Sequence, residues 1–272
     1  MTRCSSCEPF VKSNRNDFRD AGAIAEAVLR PTMRFVPLKS REQLDLQALH
    51  RVRQRLVGER TAVINQIRGF LLEHGITVRA GPPALRRALP EILADQRGAL
   101  SPGMAQLILD IDGDWRRLDE RIGEVTATIE EVARQDEGCR RLMAVPGIGP
   151  VVSSAMVAAI GDGAAFVKAR DFGAWLGLVP KQVSTGDRTL LLGISKRGNR
   201  YLRTMFIQGA RSVLLRRVTW ANHSFGRWLE AAAPRLHHNV LAVALANKLA
   251  RIAWSVLTRE SGYTRTPDAR PA

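Results

Sequence analysis

Three things are scarce in this chain, and each scarcity narrows what it can be. Cysteine comes first: only Cys4, Cys7 and Cys139 occur in 272 residues. The first two form a C-x-x-C, but no second Cys or His pair follows at zinc-ligand spacing, so neither a disulfide framework nor a zinc finger is written here. Reduced thiols without a role are expected. Long apolar runs are the second shortage. No uninterrupted stretch approaches the roughly 20 residues that span a bilayer, and the N-terminus has no apolar signal-peptide core. A cytoplasmic chain with no membrane partner is the expectation. The third shortage is negative charge: 26 Asp+Glu face 41 Lys+Arg, a formal charge of +15, while the hydrophobic content of 45% is normal for a folded protein. A folded chain this basic is most simply a binder of a polyanion.

The positive charge is concentrated. Between 181 and 217 stand nine Lys/Arg (181, 188, 196, 197, 200, 203, 211, 216, 217) against one acid, Asp187. The same stretch, LVPKQVSTGDRTLLLGISKRGNRYLR over 178–203, holds Ser184 in a Thr-Gly-Asp turn, then a short apolar run, then cations entering a helix. A hydroxyl beside fixed cations is what phosphoryl transfer from a nucleic-acid backbone requires: one group to attack phosphorus, the others to hold the anionic transition state. Taken alone, the stretch also reads as a solvated basic face with an ordinary turn serine.

Upstream, FVKSNRNDFRDAGAIAEAVLR (10–30) leads through Asp17 and Asp20 into a helical pattern. Three-residue spacing puts both carboxylates on one side of the first turn, where they could share a divalent metal or simply complement the helix dipole. Residues 33–38 read as a short strand. A long helix is expected over about 40–74 with a stripe of Leu49, Val52, Leu56, Val63, Ile67 and Phe70, stopped at Gly75. Gly81-Pro82-Pro83 reads as a linker. A second long helix follows from Pro102, its apolar residues recurring at 104, 107, 111, 115, 118, 122, 125, 129 and 132, a three-four alternation broken once between Ile111 and Trp115. Such a seam wants one partner: the 40–74 helix folded back, or the same helix of another copy.

The next stretch, LMAVPGIGPVVSSAMVAAIGD (142–162), places Gly147, Ile148 and Gly149 between two short helices, with Pro150 at the first helical position. This resembles the helix-hairpin-helix DNA-binding motif, in which glycines allow a phosphate to approach free backbone N–H groups; an ordinary glycine-containing helix connection is the other reading. A short helix is expected over 170–177, a basic amphipathic helix over 198–217, a shorter one over 225–233, and a last helix rich in small residues over about 239–257. A flexible tail closes the chain.

Taken together, VPGIGPVVSSAMVAAIGD, FGAWLGLVPKQVSTGDRTLLLGISKRGNRYLRTMFIQGAR and LAVALANKLARIAW resemble the transposase domain of the IS-one-ten insertion-sequence family, one-triple-one-one subgroup. NRNDFRDAGAIAEAV and the 34–76 stretch resemble the second half of that family's RuvC-like domain and the coiled coil behind it. The resemblance implies a mainly α fold: residues 1–39 as the remnant of a RuvC-like α/β domain, 40–138 as a long antiparallel helix pair with a linker near 75–101, and 139–258 as a compact transposase domain with the helix-hairpin-helix at 140–161. Residues 259–272 would be the tail.

It also implies a chemistry. Ser184 matches the serine nucleophile, and Asp17 and Asp20 match the last two acids of an Asp-Glu-Asp-Asp site for Mg²⁺. Lys181, Arg188, Lys196, Arg197, Arg200 and Arg203, with the 147–149 turn, would hold DNA. An element-encoded guide RNA and a homo-oligomer are the implied partners, on the nucleoid when bound. The family's Ser-Thr-Gly-Gly-Lys stands here as Ser184-Thr185-Gly186-Asp187-Arg188, with the charge kept at Arg188. The first Asp and the Glu of the quartet are expected upstream of Phe10, so the chain reads as N-terminally truncated and inactive, or nearly so, on its own. A non-catalytic nucleic-acid-binding remnant is the competing reading.

Overall fold

The computed structural model describes residues 17–30, 38–94, 98–185, 188–259 and 262–263. It divides between Leu38 and Lys39 into two units. In the first, α1 (Asp17–Val28) carries Asp17 and Asp20 in its first turn and buries Ala23 and Ala27, one turn apart. Residues 33–37 of the expected strand lie outside the described residues; Leu38 is fully exposed and in no strand.

The second unit opens with α2 (Arg41–Glu73), whose start is fixed by a capping box. Ser40 Oγ accepts from the Gln43 amide at 3.2 Å, and Gln43 Oε1 accepts from the Ser40 amide at 3.0 Å. Just before it, Lys39 Nζ donates to the Ala158 and Ala159 carbonyls at 2.6 and 3.0 Å. Helix α3 (Pro82–Ala94) follows, then α4 (Pro102–Gln135), which starts on a Ser101 cap and a proline in its first turn.

Helices α2 and α4 lie antiparallel. Arg53 Nε donates to Thr126 Oγ1 at 2.8 Å, while Arg60 Nη1 meets Asp119 Oδ1 at 3.1 Å, so seven residues forward on α2 correspond to seven back on α4. The buried seam of α4 is a clean seven-residue repeat of Ile108, Trp115, Ile122 and Ile129. This corrects the reading that used Leu107, which is 43% exposed. With Ile108 in its place the three-four alternation from 104 to 132 has no break.

On α2 the buried positions are Leu46, His50, Leu56, Ile64, Ile67 and Leu71, whereas Val52 is exposed. The expected stripe was displaced for a physical reason. Helix α2 packs on both α4 and α6, so its buried face is shared between two partners along its length. The segment expected as a linker also contributes to the core. Leu85 and Leu89 of α3 are buried with Ile64, Ile67, Leu71, Ile108 and Trp115 in one cluster.

The compact helical part is built from α5 (Glu137–Met143), α6 (Pro150–Ile160), α7 (Ala169–Trp175), α8 (Arg200–Leu215), a 3-10 turn (Arg217–Asn222), α9 (Gly226–Ala232) and α10 (His238–Thr258). Its core gathers Leu142, Met156, Phe172, Leu202, Phe206, Leu245 and Leu249. Ala242, Ala246, Ala250 and Ala253 are fully buried on α10, and these small side chains let α7 and α8 pack closely against it. Helix α10 is long and apolar enough to cross a membrane by length and composition, with about half of its apolar window buried in this core. Between α7 and α8 the chain leaves the helical body as an antiparallel hairpin, β1 (Pro180–Thr185) and β2 (Arg188–Ile194).

Candidate functional site

The hairpin is the most exposed regular structure in the second unit: every described residue from Pro180 to Gly193 is exposed. Its register pairs Gln182 with Leu191, Val183 with Leu190, Ser184 with Thr189 and Thr185 with Arg188. Side chains alternate between faces, and cross-strand partners share one. One face therefore carries Gln182, Ser184, Thr189 and Leu191, and the other Val183, Thr185, Arg188, Leu190 and Leu192.

Ser184 sits on the hydroxyl-bearing face. Gln182 Nε2 donates to Ser184 Oγ at 2.9 Å, and the Thr189 hydroxyl lies 3.4 Å away. Sequence reading missed both neighbours, because only the strand register brings them to the serine. It also expected Arg188 to serve Ser184, whereas alternation puts Arg188 on the opposite face. Asp187 lies outside the described residues.

The root of the hairpin is as constrained as its ribbon is bare. Gly177 and Gly198 both have positive φ, at 70° and 76°. A Cβ on Gly177 would strike the Arg197 backbone, and one on Gly198 would strike the Trp175 carbonyl. Only glycine serves at such points. Backbone bonds close the same root, from Ser195 N to Val179 O at 2.8 Å and from Lys196 N to Gly177 O at 3.1 Å. Lys196 itself holds a left-handed φ of 55°.

Arg203 completes this root, which corrects its expected role. It is only 8% exposed, and its Nη1 donates to Leu176 O at 2.8 Å and Arg197 O at 3.0 Å. The guanidinium ties the chain entering the hairpin to the chain leaving it and faces no solvent partner. The reason is its place one turn into α8, directly beneath the root. Lys181, Arg188, Lys196, Arg197 and Arg200 remain exposed, as expected of cations that meet a polyanion.

The 145–150 turn is corrected in part. Gly147 has φ 81°, and a Cβ there would meet Gly209 O at 2.6 Å, so two glycines bring the turn and α8 into backbone contact. Ile148 is buried in the core at 4% exposure, and its amide donates to Val145 O at 3.0 Å. Ile148 and the Cα side of Gly147 serve packing. Gly149 alone stays open, with no atom within 4 Å of a Cβ built on it, and it begins α6 without a side-chain cap.

Asp17 and Asp20 are exposed in the first turn of α1. Among the described residues no group of three or more His, Cys, Asp or Glu could hold a metal ion. Two carboxylates one turn apart do not make a Mg²⁺ cage by themselves, and the described residues do not fit one.

One polar cluster escaped sequence reading because it lies within apolar stripes. His50 on α2 is 3% exposed; its Nδ1 lies 3.1 Å from Tyr201 OH on α8 and its Nε2 3.1 Å from Ser154 Oγ on α6. Burial, helped by the nearby Arg53 charge, pushes its pKa down to about 4. Cys139, by contrast, is a free, buried thiol. Burial, with Asp136 adding to it, pushes it up to about 12, and an unionised buried thiol is a poor nucleophile.

Comparison with known proteins gives a consistent result. The family model described as Transposase IS116/IS110/IS902 family matches residues 139–225, and a second model described as Transposase matches residues 3–76. A probable family 20 transposase of Pseudomonas aeruginosa is 45% identical over 94% of this chain and 76% of its own length. The transposase for insertion sequence element IS1111A of Coxiella burnetii is 44% identical, over 94% of this chain and 70% of its own. That for IS1328 of Yersinia enterocolitica is 42% identical, over 94% and 76%.

Proposed function

This chain belongs to the IS116/IS110/IS902 family of insertion-sequence transposases, and we propose that it cuts and rejoins DNA through Ser184. The observation that carries this reading is the hairpin: an exposed serine on a ribbon that projects from a rigid root, with Lys181 and Arg188 exposed on the ribbon and Lys196, Arg197 and Arg200 exposed at its root. No acid lies on the ribbon or root among the described residues. In the step proposed, Ser184 Oγ attacks a backbone phosphorus and forms a phosphoserine ester. The P–O bond to the leaving deoxyribose oxygen breaks, and that oxygen leaves as a hydroxyl carrying the proton lost by the serine. The phosphodiester energy is kept in the ester, so a second deoxyribose hydroxyl can reverse the step and join a new strand. The exposed cations of the ribbon and root hold the flanking backbone phosphates and so position the strand.

The rest of the interface follows from the same body. Helices α5 and α6 and their joining turn act as a helix-hairpin-helix that reads backbone, through the open Gly149 at the start of α6. The antiparallel α2–α4 pair acts as a coiled coil for assembly of copies. A guide RNA and a Mg²⁺-dependent RuvC-like partner activity come from the family resemblance, and no step above is routed through the metal. A second reading, nucleic-acid binding without chemistry, is favoured by one observation: no general base lies within hydrogen-bond reach of Ser184 Oγ among the described residues, only Gln182 and Thr189.

Trapping separates the two. DNA of the cognate element is incubated with wild-type protein and with Ser184→Ala, with guide RNA and Mg²⁺ supplied, and denatured products are examined by mass spectrometry. A serine–phosphate adduct in the wild type, lost in Ser184→Ala with binding retained, supports catalysis. Binding by both proteins with no adduct in either supports the second reading.

A further inference from the structure

The hairpin's two faces differ in chemistry, and the nucleophile uses only one. Opposite Ser184 lies an apolar face of Val183, Leu190 and Leu192, exposed at 38, 48 and 46%. A two-stranded ribbon is marginally stable in water, and leucines on an unpaired ribbon invite association, so this face calls for a cover. The charge decides which one. Arg188 shares the apolar face, and Lys181, Lys196, Arg197 and Arg200 stand on the ribbon and root, against a single acid in the sequence of that stretch, Asp187. A second copy would bring the same cations against these, a repulsive arrangement. A nucleic acid brings phosphates for the cations and base faces for the leucines.

Width points the same way, because a two-stranded ribbon is a shape that the major groove of B-DNA admits. Strands also enter the minor groove, where inserted apolar side chains can part a base step. From this we infer that the Val183–Leu190–Leu192 face is a wedge: it contacts bases of a duplex at an opened step while Ser184, on the other face, meets the backbone. The inference rests on the DNA-acting reading above and adds the substrate's state, a locally unstacked duplex. The rigid root gives the wedge its stiffness, since Gly177, Gly198 and Arg203 hold both strands where they enter the helical body.

The test pairs Leu190→Asn/Leu192→Asn with Leu191→Asn, a control on the serine face. All three side chains are well exposed, so both variants are expected to fold, as checked by circular dichroism. Full-length proteins are titrated into an element-end duplex carrying 2-aminopurine at successive steps, across a salt series. Wild type and Leu191→Asn should brighten the probe at one step. The double variant should leave it dark and bind about tenfold more weakly with an unchanged salt slope.

Equal brightening by the double variant overturns the wedge while leaving DNA binding intact. So does a wild-type dimer that falls to monomer in the double variant in sedimentation, with the probe signal unchanged, because the face would then be covered by a second copy. Absence of duplex binding by the wild type overturns the underlying functional reading itself.

Discussion

Arg200 and Arg203 stand three residues apart on the same turn of α8, yet they belong to different parts of the molecule. Arg203 is sealed into the hairpin root with its guanidinium on two carbonyls, whereas Arg200 is open to solvent. The same contrast separates the whole root from the whole ribbon. The root is fixed by two positive-φ glycines in backbone contact, two main-chain bonds and a buried cation; the ribbon has one internal side-chain chain of Gln182, Ser184 and Thr189 and nothing above it. Stability is invested beneath Ser184, and the serine itself is left exposed. That division fits a site whose partner is large, since a macromolecule can be met only by what projects.

The comparison predicts that substitutions at the root damage the fold and substitutions on the ribbon do not. Gly198→Ala should be the most harmful. Its Cβ would collide with the Trp175 carbonyl on a backbone that already has φ 76°, and a loss of ~3 kcal/mol or more is expected in thermal or urea unfolding. A melting temperature within a degree of wild type would show that the root yields, and the contrast with the ribbon would go.

Arg203→Met comes next. It removes the donor from Leu176 O and Arg197 O, and about 2–3 kcal/mol should be lost. Arg200→Glu is its counterpart. Stability should stay within about 0.5 kcal/mol, while DNA affinity falls and the salt slope drops by roughly one or more. If Arg203→Met weakens DNA binding without lowering stability, the assignment of the two arginines is reversed.

His50 tests whether anchoring extends to the next residue of α8, Tyr201. Folding lowers the His50 pKa from 6.5 to about 4, so the unfolded chain binds its proton first as pH falls. Stability contributed by the neutral imidazole is therefore complete above about pH 6.5 and is lost progressively down to about pH 4. The size is on the order of 3 kcal/mol. His50→Gln should flatten that part of the stability–pH curve; an unchanged slope between pH 6.5 and 4 would place the loss on other groups.

Much of this architecture could be read from the residues, and the failures have a common cause. The α4 seam was legible because a seven-residue repeat is a local signal, down to the single error at Leu107. The basic stretch was legible as composition. Arg203 was not, since a buried arginine and a solvated one are spelled alike and only the fold supplies its carbonyls. His50 hid in an apolar stripe for the same reason. Helix α3 was read as a linker because of Gly81-Pro82-Pro83, though Pro82 lies in its first turn and Leu85 and Leu89 fill the core. The contact of Gly147 with Gly209, 62 positions away in sequence, was not legible, because only the fold brings the two glycines together.

The smallest structural effect should come from Ser184→Ala, and it is the one that bears most on function. Ser184 is exposed, and its hydroxyl accepts one bond from Gln182, whose amide can turn to water when the oxygen is removed. Stability should therefore change by less than about 0.5 kcal/mol. DNA affinity should also hold, because a neutral hydroxyl contributes little beside Lys181, Arg188, Lys196, Arg197 and Arg200. Covalent adduct formation should vanish. Gln182→Ala sharpens the point: it leaves Ser184 in place and removes its neighbour, so on the proposed reading the adduct should form more slowly with no loss of affinity. If Ser184→Ala instead lowered affinity tenfold with adduct formation intact, the serine would be a binding group, and the bare ribbon would be built for contact alone.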